Sequence, residues 1–380
     1  MTTPIHGFCD EKFASVRDLF EKNFQKHGDV GATFCATVEG ETVIDLWGGW
    51  KDKEKTEEWE KDTIVNVYSS TKTMAALVML MLADRGEIDF YEKVSKYWPE
   101  FAQNGKEDVE VRHIMSHSAG LSGLDEPVSE EQVYDHDYIA SLLAAQAPWW
   151  TPGSQSGYHA LTQGQLQGEI VRRVTNKTLG TFFAEEVAGP MEADFFIGVP
   201  PEKDAQVITI IPGADSDTAQ SPGEEGSIAH RTFLSPAVDA TWAGHEAWRR
   251  AEIPAANGHG NARSIAQIHT ILANGGSAKG KRYLSEAGVR AIFDVQIEGD
   301  DLVLQVPARF GMGFGLNSKA MPLSPNPNTC AWGGWGGSLV AIDTDAHLSG
   351  SYVMNQMAGG LVGDVRGGTL WGGFIAAALA

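Results

Sequence analysis

Strand-like segments lie near both ends of this 380-residue chain, and helix-like segments fill its middle. Near the start, 32–38 and 42–47 read as strands joined by the turn Glu39-Gly40-Glu41. Strand patterns return only at 302–306, 337–343 and 348–354. Helical spacing runs over 10–26, through Phe13, Val16, Leu19, Phe20 and Phe24. A second helix is expected over 72–85 with Gly86 as its stop, after a solvated loop at 51–62. Further helices fall near 109–117, 137–146, 160–175 and 179–187. Another starts at Ser264, where Ser264-x-x-Gln267 fits a capping box, and ends at Asn274-Gly275-Gly276. A last one covers 369–380. This order suits an α+β architecture: one sheet built from both termini, helices on its faces, and a mostly helical insertion. The expected division is 1–86 with 262–380 as the sheet domain and 87–261 as the helical domain.

Composition narrows the function classes. The formal charge is −21, from 29 basic and 50 acidic residues. Nucleic-acid binding needs a basic surplus, as does docking on an anionic membrane, so neither partner is expected. Cys9, Cys35 and Cys330 are too few and too scattered for a disulfide framework or a zinc site. The N-terminus has no basic-then-apolar leader, which makes a cytoplasmic location the expectation. No metal or other cofactor is expected.

Several catalytic patterns are absent or fail. There is no Gly-x-Ser-x-Gly and no His-Glu-x-x-His. Gly275–Lys281 imitates a phosphate loop, but Arg282 stands where Ser or Thr is required. What remains is Ser69-x-x-Lys72, preceded by the strand-like Ile64, Val65 and Val67 and followed by an apolar helix over 74–82. Residues three apart share a helical face, so Lys72 projects beside Ser69. A serine needs a base to take its proton, and burial lowers a lysine's pKa enough for that task. The bland alternative is a helix-capping serine beside a surface lysine.

The pattern resembles the serine β-lactamase and penicillin-binding-protein superfamily. Val111-Arg112-His113-Ile114-Met115-Ser116-His117-Ser118-Ala119-Gly120-Leu121 is similar to the "LLTHTSGL" segment of its class C branch. Pro152-Gly153 with Ser156-Gly157-Tyr158 is similar to the segment carrying that branch's catalytic tyrosine. Trp332-Gly333-Gly334 resembles the Trp-Gly-Gly variant of the third motif, which is Lys-Thr-Gly in β-lactamases. The nearest resemblance is to family VIII carboxylesterases. It implies a β-lactamase-like fold with the site at the interface of the two domains. It also implies Ser69 as nucleophile, Lys72 as its activating partner and Tyr158 as shared acid/base. Which of Lys72 and Tyr158 is the base stays open. The N–H groups of Ser69 and Trp335 would form the oxyanion hole.

Two departures from β-lactamases bear on substrate. The Tyr-x-Asn element has become Tyr158-His159-Ala160, and Trp332 replaces the lysine that helps hold a β-lactam carboxylate. No Lys or Arg occurs from 113 to 171 or from 320 to 365. Losing one charge-assisted bond costs an anionic substrate ~1.5–3 kcal/mol. Neutral esters lose nothing. Trp149, Trp150, Trp332 and Trp335 are candidate aromatic walls, with Gly333 and Gly334 also at the substrate. His159 is expected as a pocket wall, His117 as the support of a turn, and 200–232 as a pocket edge. The expected function is a serine carboxylesterase acting on neutral, short-chain or aryl esters. Acyl transfer, D-peptide hydrolysis or weak β-lactam hydrolysis on the same site is the alternative, as is a catalytically silent binding relative. Natural substrate and oligomeric state are not legible.

Overall fold

A computed structural model describes residues 3–213 and 223–380 of the chain. Its main sheet has nine strands, each antiparallel to its neighbours. In spatial order they are Ile5–Cys9, Glu41–Gly49, Gly31–Val38, Leu348–Met354, Leu339–Asp343, Thr329–Gly333, Gly315–Leu316, Pro307–Phe310 and Ile297–Asp300. The two ends of the chain meet where Gly31–Val38 pairs with Leu348–Met354, in a register that sets Phe34 opposite Tyr352.

These central strands are buried at nearly every position because both faces are covered. Alternate residues point to opposite faces. Ala32, Phe34, Ala36, Ala341 and Tyr352 join a core with Val16, Phe20, Trp371 and Phe374, from the helices Ala14–Lys26 and Val365–Ala378. Cys35, Val340, Ile342 and Val353 join the larger core on the other face. There the helices Ala262–Ala273 and Lys72–Asp84 pack. Every residue from Lys72 to Leu82 is buried, so this helix is apolar all round rather than amphipathic. A second sheet orders Phe195–Ile197, Gly258–Gly260, Ile64–Asn66 and Val207–Ile208. It ties the segment before Ser69 to the middle of the chain.

The structure corrects three sequence expectations. The helix expected to start at Ser264 begins at Ala262, because the Asn261 carboxamide accepts the Ser264 N–H at 2.9 Å. The Ser264 hydroxyl instead accepts the Asp194 N–H. The stretch 302–306 is not a strand. It is the loop of a hairpin between Ile297–Asp300 and Pro307–Phe310, where the Asp301 carboxylate takes the N–H groups of Val303 and Leu304. An Asp that bonds its own backbone ahead makes a turn out of apolar residues. The last helix starts at Val365, earlier than 369, because Asp364 caps it by accepting the Arg366 N–H at 2.8 Å. Among the described residues no helix is long and apolar enough to cross a membrane.

Candidate active site

Ser69 stands in a short 3-10 turn, Tyr68–Thr71, that runs directly into the helix Lys72–Asp84. Tyr68 holds a left-handed backbone (φ 44°), a conformation that costs a non-glycine residue ~1–3 kcal/mol. The Thr71 hydroxyl locks this turn by donating to the Tyr68 carbonyl at 2.5 Å, while it accepts the Gly258 N–H at 2.8 Å. The Tyr68 hydroxyl reaches the Ala240 carbonyl at 3.1 Å. Ser70, next in sequence, is turned away and bonds the Ser338 hydroxyl at 2.9 Å.

Lys72 is buried at 2% exposure with three polar neighbours. Its Nζ donates to the carbonyls of Ala160 at 2.6 Å and Ala255 at 2.9 Å, and stands 3.3 Å from Ser69 Oγ. No carboxylate pairs with it among the described residues, and burial pushes its pKa well below the usual lysine range. In its neutral form, which burial favours, the amine would meet the two carbonyls with its two hydrogens and turn its lone pair to the serine hydroxyl.

Tyr158 approaches from the opposite side. Its hydroxyl lies 2.5 Å from Ser69 Oγ, and Lys72 Nζ is 4.9 Å from its ring centre. Burial raises the phenol's pKa, and the hydrogen bond to Ser69 only partly opposes that rise. Burial thus favours the uncharged forms of both the lysine and the tyrosine. The tyrosine backbone is pinned on both sides. Gly157 N–H donates to the His117 carbonyl at 2.9 Å, and His159 N–H donates to His117 Nδ1 at 3.1 Å. His117 ends the helix Val111–Met115 with a left-handed backbone, φ 58°, and its ring lies 5.1 Å from the Tyr158 ring.

Trp335 follows the strand Thr329–Gly333. The N–H groups of Gly334 and Gly336 bond to the carbonyls of Ser338 and Gly360, while that of Trp335 takes no backbone acceptor among the described residues. Gly334 is required for contact with the serine segment, since a Cβ there would lie 2.1 Å from the Val67 carbonyl oxygen. Gly333 packs against the backbone of Val362 and Gly363 in the same way. The Trp335 ring lies 5.0 Å from that of Tyr68.

A narrow cavity of about 50 Å³ opens beside Ser69 and Tyr158. Its wall includes Trp335, Tyr68, Trp248, Phe233, Val238 and Leu361, and among the described residues none that line it is charged. Of the sequence-expected wall residues, Trp335 is in place and four others lie elsewhere. Trp332 sits behind Tyr158 with ring centres 5.4 Å apart. His159 is fully buried, its Nδ1 2.6 Å from the Gly157 carbonyl and its Nε2 accepting the Leu121 N–H; burial pushes its pKa down to about 3. Trp149 bonds the Asp125 carboxylate and stacks under Arg231, while Trp150 bonds the Gln155 carbonyl. Of the expected pocket edge 200–232, Thr232 reaches the cavity and 214–222 lie outside the described residues. Trp248 and Phe233 carry no sequence signal that would have marked them. Tyr68 could have been found from its place beside Ser69.

A family model described as Beta-lactamase matches residues 16–367. The Esterase/beta-lactamase LipL of Mycobacterium tuberculosis is 34% identical over 368 residues, which span 94% of this chain and 84% of that protein. The crystal structure of a family VIII carboxylesterase is 42% identical, covers 99% of each chain and superposes with a TM-score of 0.90. A penicillin-binding protein homologue from Caulobacter crescentus is 36% identical, with a TM-score of 0.89 over 98% of this chain and all of that one. With the model matched over nearly its whole length, this chain belongs to the β-lactamase family.

Proposed function

We propose that this protein is a serine carboxylesterase that hydrolyses neutral, short-chain or aryl esters through an acyl-enzyme on Ser69. The observation that carries this reading is the buried lysine between two carbonyls, with Ser69 Oγ on its third side and the Tyr158 hydroxyl 2.5 Å from that same oxygen. Neutral Lys72 takes the serine proton as Oγ attacks the ester carbonyl carbon. The carbonyl oxygen becomes an oxyanion, facing the N–H groups of Ser69 and Trp335; each such donor is worth ~2.7–4 kcal/mol. Tyr158 gives its proton to the departing alkoxide and regains one from Lys72. The alcohol leaves, and water attacks the acyl-enzyme by the same steps reversed.

The uncharged, narrow cavity supports small neutral acyl groups over a carboxylate-bearing β-lactam. The similarity to named esterases supports the same class of chemistry. In this reading the site joins a sheet part, 1–86 with 262–380, to a helical part, 87–261. Ser69, Lys72 and Trp335 come from the first, and Tyr158 comes from the second. The test is an acyl-length series of 4-nitrophenyl esters run beside nitrocefin, with fluorophosphonate labelling of Ser69. Short esters are expected to be cleaved fastest. Faster cleavage of nitrocefin, or no labelling of the wild type, overturns the proposal.

A further inference from the structure

The hairpin between Ile297–Asp300 and Pro307–Phe310 touches Tyr158 through its loop. Asp301, 2% exposed, accepts three N–H groups on Oδ1: Tyr158 at 3.0 Å, Val303 at 2.9 Å and Leu304 at 2.8 Å. Leu302 N–H donates to the Ser156 carbonyl at 2.9 Å, two residues before the tyrosine. Val303 packs in one cluster with Tyr158, Phe310 and Trp332. The second carboxylate oxygen, Oδ2, is buried and takes no hydrogen bond among the described residues. No cation pairs with Asp301 there either. A buried carboxylate without a cation is costly, and a neutral asparagine would offer the same Oδ1 acceptor. The charge itself therefore calls for a role.

We propose that Asp301 is a positioning residue for Tyr158. It holds the tyrosine backbone from the hairpin loop and, through its negative charge, sets the field in which Lys72 and Tyr158 exchange protons. The proposal rests on Tyr158 acting as the acid/base of the site. The titratable groups facing Tyr158 are Lys72 from the apolar helix, His117 from the segment after Val111–Met115, neighbouring His159, and Asp301 from the hairpin. Burial holds both histidines neutral, which leaves Asp301 as the facing acid. Its charge favours the protonated forms of both partners, and it adds to the upward shift of the Tyr158 phenol.

Asp301→Asn keeps the Oδ1 acceptor and removes the charge. Its acid limb of kcat/KM is expected to move to lower pH by roughly half a unit to one unit, with most of the plateau rate retained. Asp301→Ala leaves three buried N–H groups unpaired and is expected to lower kcat about a hundredfold with little change in KM, as a displaced catalytic group does. An acid limb of Asp301→Asn identical to wild type overturns the proposal. So does full kcat in folded Asp301→Ala. If Asp301→Ala fails to fold, the Asp301→Asn profile decides alone. Tyr158→Phe separates the two levels of inference. Wild-type turnover in Tyr158→Phe removes the underlying reading. An inactive Tyr158→Phe beside an unshifted Asp301→Asn removes only the role of Asp301.

Discussion

Two buried sites in this molecule each place a basic side chain near a tyrosine ring, and they differ in what partners the base. Arg366 lies 5.9 Å from the Tyr352 ring, and Lys72 lies 4.9 Å from the Tyr158 ring. Around Arg366 the partners are charged. Its guanidinium bonds Asp29 at 2.7 Å and Asp364 at 2.6 Å, and its remaining donors reach the carbonyls of Gln356 and Gly336. The Tyr352 hydroxyl donates to Asp29 at 2.6 Å. Around Lys72 the partners are two carbonyls and a serine. The first cluster has every proton committed to a fixed acceptor, and an arginine does not release one. It fastens the C-terminal helix and the Gly336 loop to the sheet. In the second, nothing compensates a cation, so burial favours the neutral amine, the form able to accept a proton. Charge pairing builds a tie; its absence, at the same depth, is what the proposed base requires.

The largest expected effect that tests this contrast is on Ser69. Ser69→Ala is expected to lose about 10³-fold or more in kcat, while Ser70→Ala, whose hydroxyl serves Ser338, keeps its turnover. Lys72→Arg puts a cation that cannot deprotonate where a releasable proton is needed, and kcat is expected to fall roughly 10²–10⁴-fold. Turnover close to wild type in that variant would erase the distinction between the two sites. Asp29→Ala strips one charge from the Arg366 cluster and is expected to lower unfolding free energy by ~3–5 kcal/mol, with the folded fraction still active. Denaturant melts and active-site titration together read that result; unchanged stability would break the comparison from the other side.

The pH dependence sharpens it. Burial lowers the pKa of Lys72, so the active neutral amine persists at pH values below those an ordinary lysine would allow. Activity falls once acid protonates it, and a rate flat from about pH 5 to 9 contradicts this. Stability carries the same sign. The unfolded chain binds more protons between the lowered pKa and ~10.5, so stability rises with pH across that window. In Lys72→Met that contribution is lost. The smallest effects concern the tryptophans. Trp248→Ala is expected to widen the range of accepted acyl chains, whereas Trp149→Ala, outside the cavity, leaves the chain-length profile of 4-nitrophenyl esters as it is.

Much of the fold was legible because its central elements are extreme in composition. An unbroken apolar run from Met74 to Leu82 belongs inside a core, and apolar strands at both ends of the chain point to one sheet covered on both faces. The errors came where local and distant partners compete. Residues 302–306 read as a short apolar strand, but the Asp301 carboxylate captures the N–H groups of Val303 and Leu304. Ser264 fits a capping box, but Asn261 stands three residues earlier and takes the N–H first. The aromatic walls were misjudged for a related reason. Trp149 and Trp150 share a basic-free stretch with Tyr158, yet neighbours in sequence need not share a cavity, and Arg231 and Gln155 claim them instead.

Spacing alone settled that Ser69 and Lys72 share a helical face, because a helix sets that geometry within one turn. Composition alone settled that the surroundings of Tyr158 and Trp332 bring few basic residues of their own. Only the tertiary structure decided that the Tyr158 hydroxyl reaches Ser69 Oγ, across 89 positions of chain. It alone decided that Arg366 and Arg231 are carried into those basic-free segments and neutralised there by Asp364, Asp29 and Asp125. The physical reason is range. Hydrogen-bond spacing and burial of an apolar run are local properties that a sequence displays directly. A proton-transfer site depends on which distant carbonyls and carboxylates surround a buried amine, and packing alone supplies those neighbours.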